Sequence, residues 1–262
     1  MKNSDYPAHI RRELTIKDPI QMGDRGMKVK RVQEWLTYHS FATTIDSDFG
    51  EATEICVRRF QESKILPITG IVDEATWNEL IAPLVTVLSP IEPAANDTLS
   101  DLMLKYANQH LALHPIELGG ENAGVWVRLY MDGNEGADWK WCAGFVTFIM
   151  KQACEILERP TPIPGSFSCD SIAYQAREAG LFIAGKDIEQ GHITIPSLGT
   201  AQMFVVRRTA TDWTHIGFSF DWQDHTFSTI EGNTNDEGAS NGYELCKRSR
   251  SIKDKDYIVF PE

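Results

Sequence analysis

The chain has 262 residues, 42% of them hydrophobic and 24% charged, with a formal net charge of -12. This composition excludes disordered and fibrous classes and supplies the cores of one to two domains. The acidic excess argues against nucleic acid as principal partner, because affinity for phosphates comes from Lys and Arg. No apolar run reaches the length of a membrane helix, and the N-terminal stretch is charged where a signal peptide is apolar. We expect cytoplasmic synthesis without a signal peptide, no membrane insertion and a monomer.

Three short helices are predicted in the first third of the chain. An apolar stripe over residues 29–36 follows a glycine-rich turn and is typical of an amphipathic helix. Two further helices are predicted where the triplet Glu-Ala-Thr recurs, beginning at Glu51 and Glu74. An acidic side chain in the first turn complements the positive end of a helix.

The order of these residues resembles the small three-helix peptidoglycan-binding domain of many cell-wall hydrolases. The resemblance runs through Gly23-Asp24-Arg25-Gly26, Asp48-Phe49-Gly50-Glu51-Ala52-Thr53 and Gly70-Ile71-Val72-Asp73-Glu74-Ala75-Thr76-Trp77. It implies that residues 19–82 bind the peptidoglycan of the bacterial cell wall.

Residues 83–96 carry three prolines and predict a linker to a second domain over 97–262. That domain begins with helices and ends with short strands, a pattern typical of an α+β domain. Its helices are predicted near 98–111, 142–157 and 169–179, and its strands near 203–207, 214–220, 226–231 and 257–260.

Cys142 is the candidate nucleophile among five cysteines, whose odd number and wide spacing do not suit a disulfide framework. Its predicted place in the first turn of a helix favours the thiolate, the form that attacks carbonyl groups. The alternative is that Cys142 packs as a small hydrophobe. The other cysteines, at positions 56, 154, 169 and 246, are interpreted as structural or incidental.

A predicted hairpin supplies the partners that such a nucleophile needs. If its turn is centred on Gln223, His215 faces Glu231 with Cβ atoms about 5 Å apart. Asn233 then follows Glu231 on the same face. An imidazole oriented by a carboxylate or an amide is a suitable base for a cysteine. A half-buried histidine without a catalytic role is the alternative for His215 alone.

Three short sequence segments resemble the cysteine, histidine-dependent amidohydrolase/peptidase (CHAP) domain, a papain-like fold of cell-wall hydrolases with helices on an antiparallel sheet. They are Trp141-Cys142-Ala143-Gly144-Phe145-Val146, His215-Ile216-Gly217-Phe218 and Glu231-Gly232-Asn233-Thr234-Asn235. The resemblance implies Cys142 as nucleophile, His215 as general base and later acid, Glu231 as the residue orienting the imidazole, and Asn233 as a further polar member. Together the two resemblances imply a peptidoglycan amidase or endopeptidase that acts through a thioester and requires no metal.

Calcium at the loop 132–138 is a minor alternative to a solvated turn, since the loop alternates oxygen-bearing side chains with glycine. Trp139 and Trp141 are expected to pack against the helix that follows them, and His225 to face solvent. No other cofactor is expected.

Two other classes of function stay open. The first is a wall-binding or phage structural protein whose CHAP-like domain is inactive. The second, a metal-dependent wall amidase, is disfavoured because no set of His, Asp and Glu ligands is evident. A hydrolase without a signal peptide would reach the wall after release or by another export route, as an endolysin does.

Overall fold

The computed structural model describes residues 6–193, 199–235 and 241–260. Its helices are α1 (Ala8–Leu14), α2 (Met27–Tyr38), α3 (Glu51–Ser63), α4 (Glu74–Leu80), α5 (Ala82–Leu88), α6 (Leu99–Leu111), α7 (Val125–Tyr130), α8 (Cys142–Ile156), α9 (Cys169–Glu178) and α10 (Gly185–Glu189). Its strands are β1 (Phe182–Ile183), β2 (Gln202–Thr209), β3 (Asp212–Phe220), β4 (Thr226–Thr234), β5 (Glu244–Ser251) and β6 (Lys255–Ile258). Over these ranges, no helix is both long and apolar enough to cross a membrane.

The chain divides into two compact units, and each is built from two stretches of sequence. The first unit contains the chain up to residue 89 together with 116–137. The second contains 90–115 and the chain from 138 onwards. The backbone therefore passes between the units three times, where the sequence predicted a single crossing.

In the first unit, the predicted helices are confirmed as α2, α3 and α4, and the repeated triplet has a structural counterpart. Gln33 of α2 accepts two backbone N–H groups of the following loop and donates to Thr53 Oγ1 at 3.2 Å. Gln61 of α3 accepts two N–H groups of the next loop and donates to Thr76 Oγ1 at 3.0 Å. Each buried glutamine thus satisfies the backbone of one loop and fixes the helix that begins with Glu-Ala-Thr.

The predicted linker over 83–96 needs correction, because its first half is the helix α5. Leu84, Val87 and Leu88 are buried and pack this helix into the first unit. Pro83 lies in the first turn, where a missing N–H removes no intrahelical hydrogen bond. The stretch without helix or strand covers only residues 89–98.

The predicted boundary of the second domain also needs correction, because residues 116–137 belong to the first unit. Arg128 of α7 is buried and donates to both carboxylate oxygens of Glu13 and of Glu34, at 2.6 to 3.2 Å. It also donates to Glu135 at 2.7 Å. A planar guanidinium binds carboxylates bidentately in this way. This buried contact fixes the segment to the first unit, and the sequence alone gave no sign of it.

The second unit is an antiparallel sheet with strand order β1-β6-β2-β3-β4-β5 and helices packed on it. Helix α8 lies across β3 and β4, with the rings of Phe145 and Phe218 5.9 Å apart, and α9 packs on β3. The prediction of helices on an antiparallel sheet is confirmed. This arrangement brings the first turns of α8 and α9 to the middle of the sheet.

Candidate active site

Cys142 is the first residue of α8, as predicted, and is only 4% exposed. Its helix begins without a side-chain cap and without an acidic residue in the first turn. The first-turn N–H groups and the positive end of the helix dipole therefore act on the Cys142 thiol without competition from a capping oxygen.

His215 of β3 and Glu231 of β4 are both buried, and His215 Nε2 lies 2.9 Å from Glu231 Oε2. Because an ionised carboxylate only accepts hydrogen bonds, Nε2 carries a proton and donates. The other ring nitrogen, Nδ1, has no nitrogen or oxygen partner among the described residues. The predicted pairing of the imidazole with a carboxylate is therefore present, with Nδ1 left for another group.

The predicted register of this hairpin is wrong by two residues. Phe218 pairs with Ile230 and Ser219 with Thr229, so the turn is centred on Asp224 rather than Gln223. His225 lies in this turn and is exposed, as expected.

Glu231 is held as an anion by more than the histidine. Arg250 of β5 donates to both of its carboxylate oxygens, from Nε at 2.6 Å and from Nη2 at 2.5 Å. Thr229 Oγ1 donates to Oε1 at 2.5 Å. Burial disfavours the charged carboxylate, but the hydrogen bonds from Arg250 and His215 outweigh it and lower the pKa of Glu231 to about 2. Glu231 is thus a fixed negative charge behind the imidazole.

The thiol of Cys142 interacts with His215, with the backbone N–H of Ile216 and with the thiol of Cys169, whose Sγ lies 3.8 Å from Cys142 Sγ. The Cys169 hydrogen bond is the largest of the effects that hold the pKa of Cys142 well below its usual range, against the cost of burial. Burial opposes the charged imidazole, but Cys142 and Glu231 raise the pKa of His215 to about 9. These shifts of the two pKa values favour a thiolate on Cys142 beside an imidazolium on His215.

Close packing between α8 and β4 depends on Gly232. A Cβ on this residue would lie 2.6 Å from Cζ3 of Trp141 and 3.2 Å from Cβ of Phe145. Trp141 is fully buried, which confirms its predicted packing, whereas Trp139 is partly exposed and makes an edge contact with Phe167. A glycine at this position lets the helix that carries Cys142 approach the strand that carries Glu231.

Asn233 is buried near the end of β4, in a left-handed backbone conformation with φ 55°. Its side-chain Nδ2 donates to the carbonyl of Gly242 at 2.8 Å. This contact joins the end of β4 to the residues just before β5. A direct part for Asn233 in the chemistry stays a prediction.

Three residues that the sequence did not single out complete the site: Thr229, Arg250 and Cys169. Arg250 faces the site only because β5 pairs with β4, and no turn signal predicted that strand. Cys169 follows Ser168, which caps α9 through the N–H of Ser171. That cap predicts a helix start, but the partner of the cysteine depends on how two helices meet over the sheet.

Residues 132–137 of the loop 132–138 lie in the first unit, where Glu135, one of the oxygen-bearing side chains of this loop, is already bound by two cations. The carboxylate of Glu135 accepts from Lys30 at 2.5 Å, from Arg128 at 2.7 Å and from the N–H of Gly124 at 2.8 Å. Ligands already bound to cations are unsuited to a hard metal ion. Across the described parts of the chain, no group of three or more His, Cys, Asp or Glu side chains is placed to hold a metal.

Comparison with known families addresses the first unit. Residues 25–80 match the family described as "Putative peptidoglycan binding domain". This segment is a peptidoglycan-binding domain. It comprises α2, α3 and α4, with the two buried glutamines at its loops. Arg128 binds the peptidoglycan-binding domain through Glu34, a residue of α2.

Among solved structures, the chain is similar to "The crystal structure of SleB N-terminal domain". The two are 32% identical over 26% of this chain and 93% of that chain, with a TM-score of 0.25. A comparison with curated proteins finds no match.

Proposed function

We propose that the chain is a peptidoglycan hydrolase in which the second unit cleaves an amide bond of the stem peptide or its cross-bridge by cysteine nucleophilic catalysis. The observation that carries this proposal is the buried contact of His215 with Glu231 beside the Cys142 thiol at the start of α8. This agrees with the CHAP resemblance of the same three positions. The peptidoglycan-binding domain on the same chain supplies the substrate class.

In the proposed mechanism, the Cys142 thiolate attacks the amide carbonyl carbon and His215 gives the proton on Nδ1 to the leaving amine. The Cys142 backbone N–H stabilises the oxyanion at the helix start. The product is a thioester on Cys142 and a free amine. Neutral His215 then takes a proton from water, whose oxygen attacks the thioester and displaces the Cys142 thiolate. The product carboxylic acid loses its remaining proton to solvent, and the thiolate and the imidazolium are restored.

Glu231 acts on the imidazole rather than on the substrate. Its hydrogen bond to Nε2 fixes the ring orientation and keeps Nδ1 as the nitrogen that exchanges the proton. Because Arg250 and Thr229 hold the carboxylate, Glu231 stays ionised throughout the reaction. Its negative charge stabilises the imidazolium that both halves of the reaction require.

The peptidoglycan-binding domain would raise the effective concentration of the second unit on an insoluble polymer. The backbone passes between the units three times, so a single proline-containing tether does not describe their connection. Substrate capture and cleavage would then depend on one folded chain.

Digestion of purified peptidoglycan, with mass spectrometry of the soluble fragments, tests the proposal. An endopeptidase creates new amino termini within the stem peptides or cross-bridges, whereas an amidase leaves free lactyl groups on the glycan. We expect one of these product classes, loss of activity with a thiol-alkylating reagent, and retention of activity with a chelator. Absence of any product would support a wall-binding protein instead, and sensitivity to the chelator alone would support a metal-dependent amidase.

A further inference from the structure

Cys169 is placed beside Cys142 by a defined set of contacts. It is the first residue of α9, is 8% exposed, and its Sγ lies 3.8 Å from that of Cys142. The next residue, Asp170, accepts a hydrogen bond from the backbone N–H of Trp213 at 2.6 Å. Because Trp213 and His215 lie on the same strand, this bond fixes the start of α9 to the strand that carries the imidazole.

Two buried sulfurs at this distance share a proton most favourably when one is a thiol and the other a thiolate. A thiol is a weak donor, but a charged acceptor strengthens the hydrogen bond. The pKa of Cys142 is held well below its usual range chiefly by Cys169, whereas the pKa of Cys169 is raised well above it by Cys142 and by burial. The opposite directions agree with a proton on Cys169 and a negative charge on Cys142.

The charges that face the pair agree with this assignment. Interactions with His215 and with the backbone N–H of Ile216 favour the thiolate of Cys142. Asp170, in contrast, disfavours a negative charge on Cys169. Glu231 faces the imidazole on its far side and keeps it positive.

We propose that Cys169 is a positioning residue of the hydrolase, whose thiol donates a hydrogen bond to the Cys142 thiolate and holds its sulfur toward His215. This role rests on the function proposed above. It gives the nucleophile two donors, Cys169 and the Ile216 N–H, in addition to the imidazolium. The three donors come from α9 and β3, so the thiolate is stabilised before substrate binds.

The rate of Cys142 alkylation by iodoacetamide, followed across pH by peptide mass spectrometry under reducing conditions, tests this role. Cys169→Ala should slow alkylation at neutral pH by about tenfold and move the rate profile to higher pH, because a hydrogen bond to a charged group is lost. Cys169→Ser keeps a donor and should stay within about threefold of the wild-type rate. Cys154→Ala, which removes another buried thiol from α8, should leave the profile unchanged.

Two outcomes would overturn the role of Cys169. One is a Cys169→Ala profile that superimposes on the wild-type profile. The other is an equal loss in the Ala and Ser variants, which would indicate packing alone. Digestion of peptidoglycan by the same proteins separates this result from the proposed function. Digestion that persists in Cys142→Ala overturns both proposals, whereas an unshifted profile in an active Cys169→Ala variant overturns only this one.

Discussion

His215 Nε2 lies 2.9 Å from Glu231 Oε2, although the strand register does not place the two residues opposite each other. Continuing the observed pairing puts Gly217 opposite Glu231. A Cβ on Gly217 would lie 2.8 Å from Cγ of Glu231. The missing side chain leaves room for the carboxylate to reach diagonally to His215 on the same face of the hairpin.

Glu231→Gln should lower the upper limit of the pH range of activity. The Glu231 carboxylate helps to raise the pKa of His215 to about 9, so its replacement by a neutral amide lowers that pKa. The imidazolium is then lost at lower pH, and the high-pH limb of the activity profile shifts in the same direction. Release of soluble fragments from purified peptidoglycan across pH measures this. Glu244→Gln removes another buried carboxylate of the same sheet and should not shift that limb; an unshifted limb in Glu231→Gln would contradict the account.

Arg250→Gln should destabilise the second unit in a pH-dependent way. With Arg250 present, the pKa of Glu231 falls from 4.5 to about 2, so its ionised form contributes stability that is present above pH 4.5 and lost as the pH falls through 2. Removing the half-buried Arg250 from the buried carboxylate of Glu231 should cost about 3 kcal/mol at neutral pH. The difference from wild type should shrink as the pH falls from 4.5 towards 2, because protonation of Glu231 removes the charge that Arg250 stabilises.

Urea unfolding at several pH values measures this difference. Arg208→Gln is the matched control, because Arg208 pairs with Asp212 on the surface and its loss should cost less than about 1 kcal/mol. A destabilisation by Arg250→Gln that stays constant from neutral to acidic pH would show that Glu231 is not the group it holds.

Much of the second unit could be predicted from sequence, and the wrong predictions have local causes. The helix start at Cys142 and the strands of His215 and Glu231 follow from apolar periodicity. The register between these two strands does not follow from periodicity, because it depends on the turn, which is centred one residue later than expected. The carboxylate of Glu231 still reaches the imidazole of His215 diagonally, because Gly217 has no side chain to block it. Only the three-dimensional structure shows this feature.

Contacts between distant segments escaped prediction altogether. Arg250 and Cys169 reach the site through strand pairing and helix packing that no local pattern specifies. Arg128 likewise binds residues about a hundred positions earlier in the chain, and so places its segment in the first unit. Sequence periodicity reports which face of an element is buried, but it does not report the partner of a buried charge.

Gly232→Ala should reduce both stability and activity. The added methyl group would lie 2.6 Å from the Trp141 ring, so α8 must move away from β4. Overpacking of this kind costs about 1 to 3 kcal/mol, and it displaces Cys142 from His215. Thermal unfolding and peptidoglycan digestion measure the two effects. Gly50→Ala, where a Cβ meets nothing within 4 Å, is the control; equal behaviour of the two variants would contradict the packing argument.

Arg128→Gln should destabilise the unit that contains the peptidoglycan-binding domain. It leaves Glu13 and Glu34 buried without their shared guanidinium, at a cost of about 3 to 5 kcal/mol. Urea unfolding should show the loss of stability. Co-sedimentation with purified peptidoglycan should weaken at urea concentrations near the midpoint of unfolding. Lys28→Gln removes an exposed pair with Asp24 and serves as control. A change below about 1 kcal/mol in Arg128→Gln would contradict a stabilising role of the Arg128 ion pairs in this unit.

Cleavage and binding of purified peptidoglycan by Cys142→Ala, measured on the same wall preparation, test the central claim most directly. The account predicts that release of soluble fragments falls by at least about a thousandfold, as expected when a nucleophile is removed. Co-sedimentation with the wall should equal that of wild type, and Cys154→Ala should retain both properties. Fragment release by Cys142→Ala at the wild-type rate would contradict cysteine catalysis at this site.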